Sequence, residues 1–480
     1  MNSDHAGDAH PASTAVTKSG WATSEEAAAD HADRIADALH VLHGERDRSG
    51  LRRVAYAVYL AALFGAFYGF TVAQAGLRLI DPEFFARLMV WPWAVPAGIG
   101  VVALALALVF RAGRVRGPVV PGMAYLDMVV ASGIDRGLTL RPAARTVCAA
   151  GLGIGSVLGL LTGAAFAASG HGAVLALVLG GIGGLLIAAA LLSAWFAGQV
   201  SLGAPLPRRL SQGLRALRIT DLRAHAIRSI RLGGAALSGD LRAARLELAT
   251  PVTRGRSARL RPGHRRLVVV RRDLLGLRRT PAALATGLVL AGLAAAGLAG
   301  ALAGPGIPVL IPLIAAALGY LGVGTWSEGM RSVADQAGTN ALFGTGFRAA
   351  AASHLLTPAG LFLLTGCGVG AAVTWAAGGS VLTWLAWLPG LTGILVGAVL
   401  LAAFRGAAPV TAFVPEFGPM SLVLWYARPL LVAAFGAGLL GARATQTGSL
   451  PGGLFAGVSG AALIGLGLWR ARELELAHRQ

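Results

Sequence analysis

Glu328, Arg331 and Asp335 stand at i, i+3 and i+7, a spacing that puts all three on one helix face with alternating charge. Such a face either holds its own ion pairs or docks a second protein, and spacing alone does not choose. Asp127, Asp135 and Arg136 pose the same choice in an earlier polar stretch. A third cluster, Arg271, Arg272, Asp273, Arg278 and Arg279, comes immediately before an apolar run. None of these is a catalytic set. The chain has no G-x-x-x-x-G-K-[ST] phosphate loop, and its one lysine, Lys18 in TAVTKSGW, lacks the glycine pattern. No HExxH occurs, no G-x-S-x-G sits in a credible nucleophile setting, and no paired membrane aspartates suggest an intramembrane protease. Cys148 and Cys367 lie inside apolar segments and read as small core residues, not as a disulfide or metal pair. His31, His40 and His43 read as solvated side chains in preference to a metal site. The expectation is therefore no catalytic residue, no cofactor, no metal and no enzyme activity in this chain.

The elements that position these clusters are membrane helices. Hydrophobic residues make up 55% of the 480 and charged residues only 13%, about half the usual share of a soluble domain. Ten spans are expected near 54–77, 88–110, 146–168, 172–199, 281–303, 306–325, 352–376, 381–404, 420–441 and 452–470, each close to the roughly 20 apolar residues that cross a bilayer. Residues 200–280 carry 19 arginines against four acids. Arginine-rich loops stay cytoplasmic, so this loop is expected inside, together with 1–53, 111–145, 326–351, 405–419 and 471–480. The fold expected is an all-α polytopic bundle of two roughly parallel halves joined by a basic cytoplasmic loop. Its parts are a tail with an amphipathic helix (1–50), a four-span half (51–199), the basic linker (200–280), a six-span half (281–470) and a short tail (471–480). Both termini are expected in the cytoplasm, the membrane being the inner or plasma membrane, and no cleavable signal is visible.

Aromatic residues mark expected span ends: Phe84, Phe85, Trp91 and Trp93, then Trp375, Trp384 and Trp387, with Trp326 and Trp469 at inner ends. Residues 24–43 read as a helix on the inner membrane surface, with Ser24 as cap and Ile35, Leu39 and Leu42 on one face. In the linker, Leu214, Leu217, Leu222 and Ile230 interleave with Arg215, Arg218, Arg223 and Arg231. That pattern is expected to lie on anionic lipid headgroups, with docking of a cytoplasmic partner as the alternative. Nucleic acid is excluded, because the arginines sit where topology needs them and no stacking aromatics accompany them. Gly151, Gly155 and Gly159, and Gly393 and Gly397, predict close helix packing. Pro92, Pro96, Pro312, Pro358 and Pro429 are expected kinks, and Arg428 is expected to snorkel to a span end.

The halves share a plan. A basic run leads into two spans, a polar loop, then two more spans, an arrangement of parallel repeats used by transporters. In the first polar loop Gly117-Pro118, Asp135-Arg136 and Arg141-Pro142 resemble the signature of actinobacterial ABC-2-type exporter permeases. Arg271-Arg272-Asp273 with Arg278-Arg279 resembles their basic elbow, and Glu328, Arg331, Asp335, His354 and Pro358 the second-half segment. A typical permease half has six spans, where the first half here has four. The resemblance implies a permease component of an export system driven by a separate ABC ATPase subunit, with a homodimer compatible. It also implies a coupling surface at Asp127, Asp135, Arg136, Glu328, Arg331 and Asp335. The alternatives are a non-transporting membrane scaffold and an ion-coupled secondary transporter. The spans argue against the last: their ionisable groups, Arg428 and His354, lie nearer span ends than midplanes.

Overall fold

The computed structural model describes residues 30, 33–35, 37, 49–78, 94–132, 134–170, 174–201, 210–237, 241–248, 257, 260, 265–303, 307–337, 346–406, 418–447 and 449–477. Among them there is no strand, and the fold is an all-α polytopic bundle. Among the described residues eight helical stretches are long and apolar enough to cross a membrane, or nine if one bent pair counts as a single span. The expected ten spans are thus too many, for two local reasons. The first segment is α1 (Ser49–Phe64), a π turn (Gly65–Phe70) and α2 (Thr71–Arg78), apolar only over Val54–Phe67. The sixth, α11 (Leu310–Thr325), ends after 16 residues and bends by 66° into α12 (Glu328–Asp335). His31, His40, His43, Leu39 and Leu42 lie outside the described residues, as do Phe84, Phe85, Trp91 and Trp93.

The described chain divides into two compact units. The first takes its residues from 1–60, 105–154 and 187–229. It contains the end of α3 (Ala94–Val115), the start of α4 (Arg141–Ala168), the end of α5 (Leu175–Val200), α6 (Leu210–Ala216) and most of α7 (Ile219–Leu237). Its core is Val119, Leu126, Val130, Leu140, Ala144, Val200, Leu214, Leu217, Leu222 and Ala226. The linker leucines therefore bury against protein, where the sequence reading put them on lipid. The reason is proximity: residues 111–145 supply an apolar surface that shields Leu214, Leu217 and Leu222 more fully than a headgroup layer can. Ile230 is exposed.

The second unit takes 61–104, 155–186 and 230–480. After α8 (Leu241–Leu248) come α9 (Arg265–Arg279) and α10 (Pro281–Ala303), whose first residue is proline, as suits a position needing no backbone donor. Then follow α11, α12, α13 (Phe347–Ser353), α14 (Leu356–Thr365), a π turn (Gly366–Gly370), α15 (Ala371–Ala376), α16 (Val381–Ala403), α17 (Gly418–Thr447) and α18 (Ser449–Ala477). Small residues set the closest approaches. On α16, a Cβ on Gly390 would meet the Ala456 carbonyl carbon at 2.6 Å, one on Gly393 the Gly460 Cα at 3.1 Å, and one on Gly397 the Leu463 Cβ at 2.8 Å. Gly155, Gly159 and Gly163 of α4 similarly face Gly184, Gly180 and Ala176 of α5. Both glycine stripes read from the sequence are seams between helices.

The tryptophans divide differently from the expected belt. Trp375 and Trp469 are exposed, but Trp326, Trp384 and Trp387 are buried in the core. Trp384 is drawn in by the π turn, whose Gly366 carbonyl accepts its indole N–H at 2.9 Å. The same turn directs Gly366 at Leu388 and Gly370 at Trp384 and leaves Cys367 exposed, contrary to its reading as a core residue.

Candidate functional site

The chemistry-bearing residues gather at the polar ends of the two units. In the first unit, residues 117–119 lie on two side chains from distant helices. Gln199 grips Val119 both ways: its Oε1 accepts the Val119 N–H at 3.1 Å and its Nε2 donates to the Val119 carbonyl at 2.8 Å. The Gly117 N–H donates to His225 Nδ1 at 3.1 Å. A Cβ on Gly117 would lie 1.9 Å from Gln199 Cδ, so the position requires glycine. The carbonyls left over where α3 ends are taken by Trp195, which donates to Arg116 O at 2.8 Å, and by the Arg228 guanidinium, which donates to Val115 O.

The charged residues of this loop serve the same assembly. Asp135 accepts the Gly137 N–H at 2.9 Å, capping the helical turn Arg136–Thr139, and pairs with Arg215 at 2.7 Å. Asp127 pairs with Arg223, and Arg136 donates to the Leu217 carbonyl at 2.6 Å. Asp127, Asp135 and Arg136 therefore tie the loop to α6 and α7. His225 is 3% exposed. Burial pushes it below the usual imidazole range and nearby Arg228 adds to this, while Asp221 and the Arg114 backbone oppose. Because Nδ1 accepts a hydrogen bond, the ring is neutral with its proton on Nε2.

In the second unit the basic cluster around Asp273 falls on α9. Arg271, Arg272 and Arg278 are exposed and Arg279 is half-buried, while Asp273 turns inward. Its carboxylate meets His354 Nδ1 at 3.0 and 2.8 Å, the two side chains being 6% and 3% exposed. Gly329 of α12 closes the contact: a Cβ there would sit 2.3 Å from Asp273 Oδ1 and 2.4 Å from His354 Nδ1. Three residues from three segments, 81 positions apart at the extremes of the hydrogen bond, thus meet where α11 breaks. On α12, Met330 and Val333 pack with Ala351, Leu400, Phe404 and Ala471. Glu328 faces out and lies 3.8 Å from Arg331, with Asp335 half-buried one turn on. The three residues lie on one short helix, with a long ion pair between Glu328 and Arg331.

Arg405, just past α16, completes this end. Pro429 has no N–H, so it removes the helical partner of the Trp425 carbonyl. Arg405 Nη1 donates to that carbonyl and to Tyr426 O, each at 3.2 Å, with its guanidinium over the Trp425 ring at 4.5 Å. Arg428 is exposed, as snorkelling requires. Gln199, His225, Gly329 and Arg405 carried no sequence signal as site residues; only Pro429, four residues after Trp425, pointed at an orphaned carbonyl. Among the described residues no group of acidic, histidine or cysteine side chains is placed to hold a metal ion.

The chain matches no family model, no characterised protein and no solved structure.

Proposed function

We propose that this chain is the membrane-embedded permease component of an ABC-2-type export system, driven by a separate ATPase subunit. It resides in the inner or plasma membrane with both termini in the cytoplasm. One observation carries the reading: the Asp273–His354 contact over Gly329. It ties the elbow helix α9, the bend between α11 and α12, and the start of the stretch 347–376 into one joint. A subunit docking on the outward face of α12 would move three membrane segments together. That is the coupling an ATP-driven exporter needs, and the outward acid of the docking face, Glu328, lies beside the joint. The bare spans suit an apolar or amphipathic cargo better than an ion.

The test is to purify the tagged protein from native membranes in mild detergent and identify co-purifying chains by mass spectrometry. A stoichiometric P-loop ATPase is expected, and it is expected to be lost from the Glu328→Ala, Arg331→Ala, Asp335→Ala triple variant. A preparation free of any ATPase overturns the exporter reading.

A further inference from the structure

The buried linker leaves open where the protein's positive charge meets the bilayer, and the first unit answers it. Its helix ends can be levelled against one another from their closest contacts. A Cβ on Gly198 would lie 1.9 Å from Phe110 O and 3.1 Å from Gly113 Cα, so the ends of α3 and α5 coincide in depth. The helices α4 and α5 run antiparallel, with Gly151 against Leu192. Counting from that contact towards the start of α4 and the end of α5 brings Arg145 level with Gly198. Val58 lies on Gly153 and Leu161 on Gly65, so α1 runs parallel to α4 and Arg52 falls at the depth of Val147. At about 1.5 Å per residue, Arg52, Arg111 and Arg145 lie within about one helical turn of depth, with Arg141 about one turn further out.

All four are exposed. None pairs with a carboxylate among the described residues: Asp127 is engaged by Arg223 and Asp135 by Arg215. One to two turns deeper the outer faces become apolar and aromatic, with Tyr56, Tyr59 and Leu108 exposed. Charge without counter-charge directly above exposed hydrocarbon matches a molecule with an anionic head and acyl tails.

We infer that Arg52, Arg111, Arg141 and Arg145 form a collar that binds the phosphate headgroups of anionic phospholipids, whose tails run along α1, α3 and α4. Long arginine stems reach the headgroup plane from such positions, and anionic lipid supplies the charge. The collar stands independently of the exporter reading, since it needs no ATPase and no transported cargo.

Delipidated full-length protein in a neutral detergent tests it, with thermal unfolding followed by tryptophan fluorescence. Mixed micelles containing phosphatidylglycerol are expected to raise the midpoint by a few degrees over micelles containing phosphatidylcholine, and 0.5 M salt, with a screening length about half that at 0.1–0.15 M, should cut the gain. Inorganic phosphate alone is expected to do nothing. The Arg52→Gln, Arg111→Gln, Arg141→Gln, Arg145→Gln variant should keep its response to phosphatidylcholine and lose the additional gain. Equal stabilisation by the two lipids overturns the collar, as does a variant that keeps the full gain. An equal effect of free phosphate would mean an anion site and not a lipid site. Should the quadruple variant fail to fold, the wild-type lipid comparison and its salt dependence still decide.

Discussion

Two buried histidines each fasten one polar end, and burial sets the acid response of His225 apart from that of a surface histidine. His225 accepts the Gly117 N–H at Nδ1, a bond that exists only in the neutral ring. Its folded-state pKa is lowered from 6.5 by burial, so between that lowered value and 6.5 the unfolded chain binds more protons than the folded one. Stability from this contact is complete above about pH 6.5 and is lost progressively as pH falls below it. Amide hydrogen exchange at Gly117 should therefore accelerate, beyond the intrinsic pH trend, on going from pH 7.5 to 5.5. In a His225→Gln variant that excess should vanish; an identical excess there would show that another group controls the loop. At the second joint, Asp273→Ala leaves the buried His354 ring without its partner and should cost about 3 kcal/mol of stability. Gly329→Ala should be harmful for a different reason, because its Cβ would overlap both partners at 2.3–2.4 Å. A loss below about 1 kcal/mol in both variants would rule the joint out as a structural tie.

At the scale of elements, the seams decide which glycines matter. Gly159→Ala places a Cβ 2.2 Å from the Gly180 carbonyl oxygen, a backbone atom that cannot swing away, and should destabilise by about 1–3 kcal/mol. Gly183 sits in the neighbouring helix α5 with nothing within 4 Å of its would-be Cβ. Gly183→Ala should be neutral or stabilising by up to about 1 kcal/mol, since only helix propensity changes. Thermal unfolding of the two variants side by side separates packing from propensity. Much at this scale could be read in advance. Runs such as Pro281–Ala303 announce themselves by length and apolarity, and the arginines around Asp273 fall together on one helix, α9. The pairings could not be read, because Gln199 with Val119, His225 with Gly117 and Asp273 with His354 join positions 80 to 108 residues apart. Nothing local distinguishes such a histidine from a solvated one. Trp384 was misplaced for a similar reason: its position near a helix end suggested the headgroup layer, but the Gly366 carbonyl of a π turn 18 residues away accepts its N–H. The first span was overcounted where a π turn leaves only Val54–Phe67 apolar, and the sixth counts only if α11 and α12, across their 66° bend, are taken as one span.

For the whole molecule, charge sets the expectation of orientation. In the orientation proposed from the positive-inside rule, the arginine-rich segments face the cytoplasm. Single cysteines at Arg218 and Asp335, in a chain with Cys148 and Cys367 replaced, should react with an impermeant maleimide only after the cell is opened. Labelling of either in intact cells would reverse the orientation and remove the site at which a cytoplasmic ATPase would dock. The seam between α4 and α5 adds a mechanical property to this architecture. Its present register sets Gly155, Gly159 and Gly163 against Gly184, Gly180 and Ala176. Sliding one helix past the other by one turn, about 5.4 Å, would set Gly151, Gly155 and Gly159 against Gly184, Gly180 and Ala176 instead. Small residue would again meet small residue at those three positions, so bulk along this stripe does not by itself fix the register, and larger contacts such as Leu192 on Gly151 must select it.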